Sequence, residues 1–148
     1  MKKVSLVCAG KIKERFLREG IDEYAARISR FADFSVIEVK DFPPPDEIKR
    51  ESELILEKLD GFVILLDRDG ETLSSEQLAE AMDRAYRTGP RVTFVIGGSE
   101  GVDDRVKKRA DLRLSFGKVT FPHRLMRLML AEQIYRAFTI TEGLPYHK

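Results

Sequence analysis

Two hydrophobic periodicities alternate along this chain, and together they predict an α/β protein. Short apolar runs between charged stretches are typical of strands buried on both faces of a parallel sheet, whereas apolar residues recurring every three or four positions are typical of amphipathic helices. The strands are predicted at residues 4–9, 34–39, 62–66, 92–96 and 112–115. This order predicts a mainly parallel sheet with helices on both faces.

The helices are predicted from the same pattern and from their end signals. A first helix over residues 13–30 carries Phe16, Leu17, Ile21, Tyr24, Ala25 and Ile28 at helical spacing. A second begins after Asp46 and carries Ile48, Leu54, Ile55 and Leu59. The third is capped by Ser74 and Gln77, a short basic helix covers residues 102–110, and the last begins at Pro122 and ends before Gly143.

Three segments follow predicted strands at the edge where ligands bind in parallel sheets. They are Leu66 with Asp67, then residues 97–101, then residues 116–121, and they predict one pocket. The glycines of FVIGGSEG allow the backbone to approach a small ligand closely. Their GGxxG spacing matches neither the dinucleotide fingerprint nor a phosphate loop, which disfavours an ordinary NAD or ATP site. A tight bend without a ligand is the alternative reading of this turn.

Composition and charge narrow the choice further. Residues 1–148 are enough for a single domain with one core, and no apolar run is long enough for a transmembrane helix. The first residues fit a strand better than a signal peptide, so a cytoplasmic location is expected. Cys8 is expected to be a buried core residue, and two distant histidines with one cysteine predict no metal site. Asp69-Gly70 predicts a turn.

The last third of the chain combines basic charge with a broad apolar helix. Residues 101–148 carry ten Lys and Arg against five Asp and Glu, a surplus that is either a solvated face or a surface for phosphates. The last helix is apolar on more than one side, which favours a symmetric dimer. Glu132 and Arg136, four residues apart, predict a local ion pair. The tail after Gly143 and Pro145 has no packing pattern of its own.

Several motifs occur together in this chain: LLDRDG, FVIGGSEG, TFPHRL, LAEQIYRA and the terminal PYH. In this combination the chain resembles, over essentially its whole length, the pseudouridine N3-methyltransferases of the SPOUT superfamily. The resemblance implies a trefoil-knotted α/β fold, a homodimer, and S-adenosyl-L-methionine as methyl donor. It also implies that the acceptor is N3 of a pseudouridine in 23S ribosomal RNA, within the assembled ribosome.

The resemblance also assigns roles to residues of the predicted pocket. The cofactor-binding residues that it implies are Leu66, Gly97, Gly98, Phe116, Gly117, Lys118, Val119, Thr120 and Phe121. His123, Tyr146 and His147 are the candidates for catalysis, because a histidine can accept a proton near neutral pH and a tyrosine can stack on a base. His123 equally fits a structural role at a helix start, and the tail residues are expected at the partner subunit's active site.

Phosphate contacts are expected from the basic end of the chain. The candidates are Arg105, Lys107, Lys108, Arg109, Arg124 and Arg127, with Lys118 beside them. A net charge of only +1 predicts weak binding to naked RNA. Two alternatives stay open at this point: a noncatalytic RNA-binding dimer, and a different small-molecule enzyme that uses the same pocket.

Overall fold

The computed structural model describes residues 1–148 and contains five strands and five helices that alternate strictly. In chain order they are β1 (Lys3–Ala9), α1 (Arg15–Ile28), β2 (Asp33–Val39), α2 (Glu47–Leu56), β3 (Phe62–Thr72), α3 (Ser75–Thr88), β4 (Arg91–Ile96), α4 (Asp104–Arg109), β5 (Leu112–Ser115) and α5 (His123–Thr141). The strands form one sheet in the order β2-β1-β4-β3-β5, and every neighbouring pair is parallel. The predicted α/β class is confirmed, and the trefoil knot stays a prediction from the resemblance.

Helices cover both faces of the sheet, as predicted. On one face, β1 places Leu6 and Cys8 in a core shared with α1, α3 and α5. On the other face, Val7 and Ala9 pack in a smaller core with α2 and α4. Because successive side chains of a strand point to opposite faces, β1 must be apolar at every inner position. Cys8 is buried as expected, and burial raises the pKa of its thiol to about 11.

Strand β3 is longer than predicted, because the expected turn is a bulge within it. Leu114 of β5 lies opposite both Leu66 and Glu71, so the four intervening residues loop out of the ladder. Gly70 lets the bulge return against β5, since a Cβ there would lie 2.5 Å from the carbonyl oxygen of Arg113. This bulge stands at the edge of the sheet that carries the predicted pocket.

Two helices differ from the prediction in the residues that they bury. Helix α2 buries Glu51, Ser52 and Ile55, two of which are polar and were not predicted. In α1, Phe16 is 68% exposed although it has helical spacing with the core residues. The cap of α3 is confirmed: Ser74 Oγ accepts from the backbone N–H of Gln77 at 3.1 Å, and the Gln77 side chain accepts from the Ser74 N–H.

Helix α5 is covered on two sides within the same chain. It packs against both α1 and α3, and it places Leu130, Ile134 and Phe138 in the larger core. Its broad apolar surface is therefore largely satisfied by a single copy. The predicted ion pair of Glu132 and Arg136 is confirmed, with 2.6 Å between the carboxylate oxygen and the guanidinium nitrogen. No helix has both the length and the apolar character that crossing a bilayer requires.

Candidate active site

The three predicted loops line one cavity of about 790 Å³. They lie together because β4, β3 and β5 are neighbours in the sheet and are all parallel, so their carboxyl ends meet at the same edge. Of the predicted cofactor-binding residues, those that line the cavity are Leu66, Gly97, Gly98, Phe116, Gly117, Val119, Thr120 and Phe121. Lys118 is exposed and is not part of the lining. The size and mixed lining fit a small-molecule ligand.

The loop after β4, residues 97–101, is called the glycine loop here, and contacts within the protein itself pack it tightly. The Gly101 N–H donates to the Gly98 carbonyl at 3.0 Å, and Gly101 has a φ of +85°, which favours glycine. A Cβ on Gly97 would lie 2.8 Å from the carbonyl carbon of Gly101. A Cβ on Gly98 would lie 2.5 Å from Oε1 of Glu51. Glycine at position 98 therefore makes room for Glu51, a contact that the sequence did not predict.

The bulge in β3 brings a guanidinium to the cavity that was not predicted. Arg68 Nη1 donates to Thr120 Oγ1 at 3.0 Å, which links the bulge to the loop after β5. Arg68 has no carboxylate within ion-pairing distance, whereas neighbouring Asp67 pairs with Arg113 at 3.4 Å. The sequence could have indicated Arg68 as a site residue, because in LLDRDG it comes two residues after the predicted strand end, at the sheet edge where ligands bind.

His123 lies at the start of α5 and lines the cavity, as predicted for a catalytic candidate. Burial, followed by the positive charges of Arg124 and Arg127, lowers the pKa of its imidazole. The ring is therefore neutral at neutral pH. Its Nδ1 is buried without a hydrogen-bond partner.

Tyr146 and His147 are not at the cavity of their own chain. Tyr146 donates from its hydroxyl to Glu132 at 2.7 Å and packs edge-on against Tyr135. His147 is bound between Arg136, at 2.9 Å, and Glu76, at 3.0 Å. From His123 to the middle of α5 the helix runs about 14 Å, so the catalytic candidates do not come together within one chain.

The tail is thus anchored to the protein, and the expectation that it lacks packing is wrong. Although burial opposes the shift, hydrogen bonds from Arg136 and Tyr146 lower the pKa of Glu132. Burial and the hydrogen bond to Glu132 raise the pKa of Tyr146, which keeps its hydroxyl protonated as the donor. No signal in the sequence indicated this contact, because Tyr146 and Glu132 are 14 positions apart.

The prediction that Arg127 contacts RNA is wrong, because its side chain is completely buried. Its Nη1 pairs with Glu38 Oε2 at 3.0 Å, and its Nη2 donates to the Ala9 carbonyl at 2.6 Å. Arg127 therefore ties α5 to the ends of β1 and β2. A buried charge of this kind requires a partner, and phosphate cannot reach it.

The other basic candidates are spread over two edges of the sheet. Lys107 lines the cavity, and Arg124 lies beside it, donating to the Lys11 carbonyl at 3.1 Å. Arg105 is engaged with Asp103 at 2.7 Å. Arg109 donates to the Gly61 carbonyl, which precedes β3 and lies at the sheet edge opposite the cavity. Lys108 is exposed. Lys107 and Arg124 are thus the candidates nearest to the cavity.

Comparison with known proteins agrees with this architecture. Curated proteins called "Ribosomal RNA large subunit methyltransferase H" are 47% identical in Streptococcus pyogenes serotype M5 and 48% identical in Carboxydothermus hydrogenoformans. The alignments cover 99% and 98% of this chain, respectively, and 99% of each relative. The protein of that name from Streptococcus pneumoniae is 46% identical, with 99% of both chains covered.

Solved structures share the fold at low sequence identity. The tRNA (m1G37) methyltransferase from Aquifex aeolicus has a TM-score of 0.55 and 19% identity, covering 98% of this chain and 71% of that protein. A probable methylase family protein from Haemophilus influenzae Rd KW20 has a TM-score of 0.57 and 11% identity, covering 99% and 71%. The family described as "Predicted SPOUT methyltransferase" matches residues 2–147. The chain belongs to the SPOUT methyltransferase family.

Proposed function

We propose that this protein transfers a methyl group from S-adenosyl-L-methionine to N3 of a pseudouridine in 23S ribosomal RNA. One observation carries the proposal: a chain nearly half identical, over almost its full length, to proteins called ribosomal RNA large subunit methyltransferase H has a cavity of about 790 Å³ at the ligand-binding edge of the sheet. The names of the relatives indicate a ribosomal RNA target, and the cavity lies where a fold of this kind binds its ligand.

The cavity fits the cofactor in size and in chemistry. Leu66, Phe116 and Phe121 offer apolar surface for an adenine ring, and the glycine loop brings backbone polar groups to the same cavity. S-adenosyl-L-methionine supplies a methyl group on a positively charged sulfonium. The protein's contribution is to hold the acceptor nitrogen in line with that carbon, an alignment that can by itself supply much of the acceleration.

His123 is the residue of this chain placed to handle the acceptor's proton. The N3 nitrogen must lose its proton before or during the attack, and a neutral imidazole is able to accept it. The lowered pKa of His123 keeps the ring in that neutral form. Lys107, in the cavity lining, is suited to meet an RNA phosphate as a point charge, and so is the guanidinium of neighbouring Arg124, which also pairs with Asp41 at 3.8 Å.

A homodimer completes the site in this proposal. Between α1, α3 and α5 lies a second cavity of about 590 Å³, whose half-buried apolar residues include Leu73, Leu128 and Met129. Together with exposed Phe16 it offers apolar surface for a second copy. The tail, with Tyr146 and His147, lies away from its own cavity and would act at the partner's. Assembled ribosomes are the substrate, and a cytoplasmic location follows from that substrate.

The test is to incubate the protein with labelled S-adenosyl-L-methionine and ribosomes, then to digest the RNA and identify the methylated nucleoside. N3-methylpseudouridine from the large subunit is expected. Label in another nucleoside would refute the acceptor assignment. Calorimetry with the cofactor alone separates the alternative of a noncatalytic RNA-binding dimer, which predicts RNA binding without any cofactor binding.

A further inference from the structure

Helix α2 places two consecutive buried polar side chains beneath the glycine loop. Glu51 is 4% exposed and Ser52 is fully buried. They lie on the same face of the helix as Ile55, which anchors α2 in the smaller core. Neither side chain is among the residues that line the cavity. A buried carboxylate is costly, so its partners are informative.

Glu51 joins two loops with its two oxygens. Its Oε2 accepts from the backbone N–H of Phe42 at 2.9 Å, in the loop between β2 and α2. Its Oε1 lies 2.5 Å from the position that a Cβ on Gly98 would occupy. The φ of Gly98 is not in the left-handed region, so an alanine is conformationally allowed there. Contact with Glu51 is thus the steric reason for a glycine at position 98.

Ser52 holds the other end of the same loop. Its Oγ accepts from the backbone N–H of Asp103 at 3.0 Å. Asp103 in turn caps α4, accepting from the Arg105 N–H at 3.0 Å. The glycine loop is therefore contacted from beneath near its beginning, at Gly98, and near its end, at Asp103. Both contacts come from one turn of α2.

We propose that Glu51 and Ser52 are positioning residues for cofactor binding. They hold the glycine loop against α2 from the side opposite the ligand, so that the cavity wall is in place before the cofactor arrives. Preorganisation of this kind improves affinity because less ordering is required on binding. Burial, reinforced by the charges of Asp41 and Glu47, raises the pKa of Glu51, while the Phe42 N–H opposes that shift. This inference rests on the proposed function, since it concerns the affinity for S-adenosyl-L-methionine.

The test is a double-mutant cycle between positions 98 and 51, with cofactor affinity measured by calorimetry and unfolding by thermal denaturation. Gly98→Ala should weaken cofactor binding by about tenfold, because the new methyl displaces Glu51. In a Glu51→Ala background the same substitution should weaken binding by less than about twofold, because the clashing oxygen is absent. Ser52→Ala should weaken binding severalfold by releasing Asp103.

Matched controls separate positioning from stability. Gly89→Ala adds a methyl where nothing lies within 4 Å, and Glu57→Gln alters an exposed carboxylate just beyond α2. Ile55→Val lowers stability from the same buried face and should leave the affinity unchanged. Glu51→Gln keeps an acceptor for the Phe42 N–H, so it should bind cofactor within about threefold of the wild type, whereas Glu51→Ala should lose about tenfold.

Three results would overturn the inference while leaving the proposed function in place. A folded Glu51→Ala variant with wild-type affinity would show that the carboxylate does not position the loop. An equal loss from Gly98→Ala in both backgrounds would mean that the cofactor itself requires the glycine. If Ile55→Val lost as much cofactor affinity as Glu51→Ala, the loss would reflect reduced stability and not positioning of the loop. Absence of binding by the wild-type protein would remove the proposed function together with this inference, so the wild type is measured first.

Discussion

Arg127 and Glu38 form an ion pair whose two halves should be unequally costly to remove. The guanidinium is completely buried, whereas the Glu38 side chain is 28% exposed and can be solvated when left alone. Glu38 Oε2 also accepts from the Ile12 N–H at 3.1 Å. Arg127 also donates to the Ala9 carbonyl. Removing Glu38 therefore leaves the buried charge of Arg127 without its partner. Removing Arg127 leaves the Ala9 carbonyl unpaired and leaves the carboxylate of Glu38, which is partly hydrated.

The expected magnitudes follow from this asymmetry. Glu38→Ala should cost about 3–5 kcal/mol of the free energy of unfolding, the range for leaving a buried charge without its partner. Arg127→Met retains most of the packed volume and should cost about 1–3 kcal/mol for the unpaired carbonyl. For 148 residues, each kcal/mol lowers Tm by about 3 °C. We thus expect losses of roughly 9–15 °C for Glu38→Ala and roughly 3–9 °C for Arg127→Met.

Thermal unfolding measures the loss of Tm in each of the two variants. Ribosome binding at several salt concentrations tests whether Arg127 contacts RNA. Arg127→Met should leave the slope of log affinity against log salt unchanged, whereas Lys107→Met should reduce it by about one. If Arg127→Met is the more destabilising variant, the reasoning about the buried charge is wrong. If it stays stable but loses salt dependence as Lys107→Met does, Arg127 contacts RNA after all.

Deleting residues 146–148 should lower Tm by roughly 6 °C, because about 2 kcal/mol is lost with a hydrogen bond and an aromatic contact. The deletion should also lower the rate of methyl transfer by about a hundredfold while leaving cofactor affinity unchanged. A normal rate of methyl transfer would mean that the tail has only a structural role. Sedimentation should give a dimer at micromolar concentration, and a stable monomer would contradict it. The lowered pKa of His123 means that the unfolded chain takes up its proton first, so this residue's contribution to stability falls as pH drops below 6.5. The acidic limb of the pH–rate profile should also lie below 6.5, and a limb above that value would exclude His123 as the titrating base.

Short-range patterns accounted for most of the fold. The strands β1 and β4 were predictable because both of their faces are buried, which leaves few polar positions in the run. The cap formed by Ser74 and Gln77 and the pair of Glu132 and Arg136 involve residues three or four apart, so their geometry is fixed once the helix forms. The position of the cavity followed from a general rule for parallel sheets.

Tertiary structure alone decided which charged residues are buried. Glu51 is a charged side chain on the face of α2 that also carries Ile55, and Arg127 belongs to a basic stretch, yet both are enclosed. Their contacts are remote in sequence: Arg127 pairs with Glu38, 89 positions away, and Glu51 packs against Gly98 in a different loop. A charge can be buried only where folding supplies its partner, because the desolvation cost must be offset at that place. That partner comes from another element, so the sequence around the charge holds no record of it.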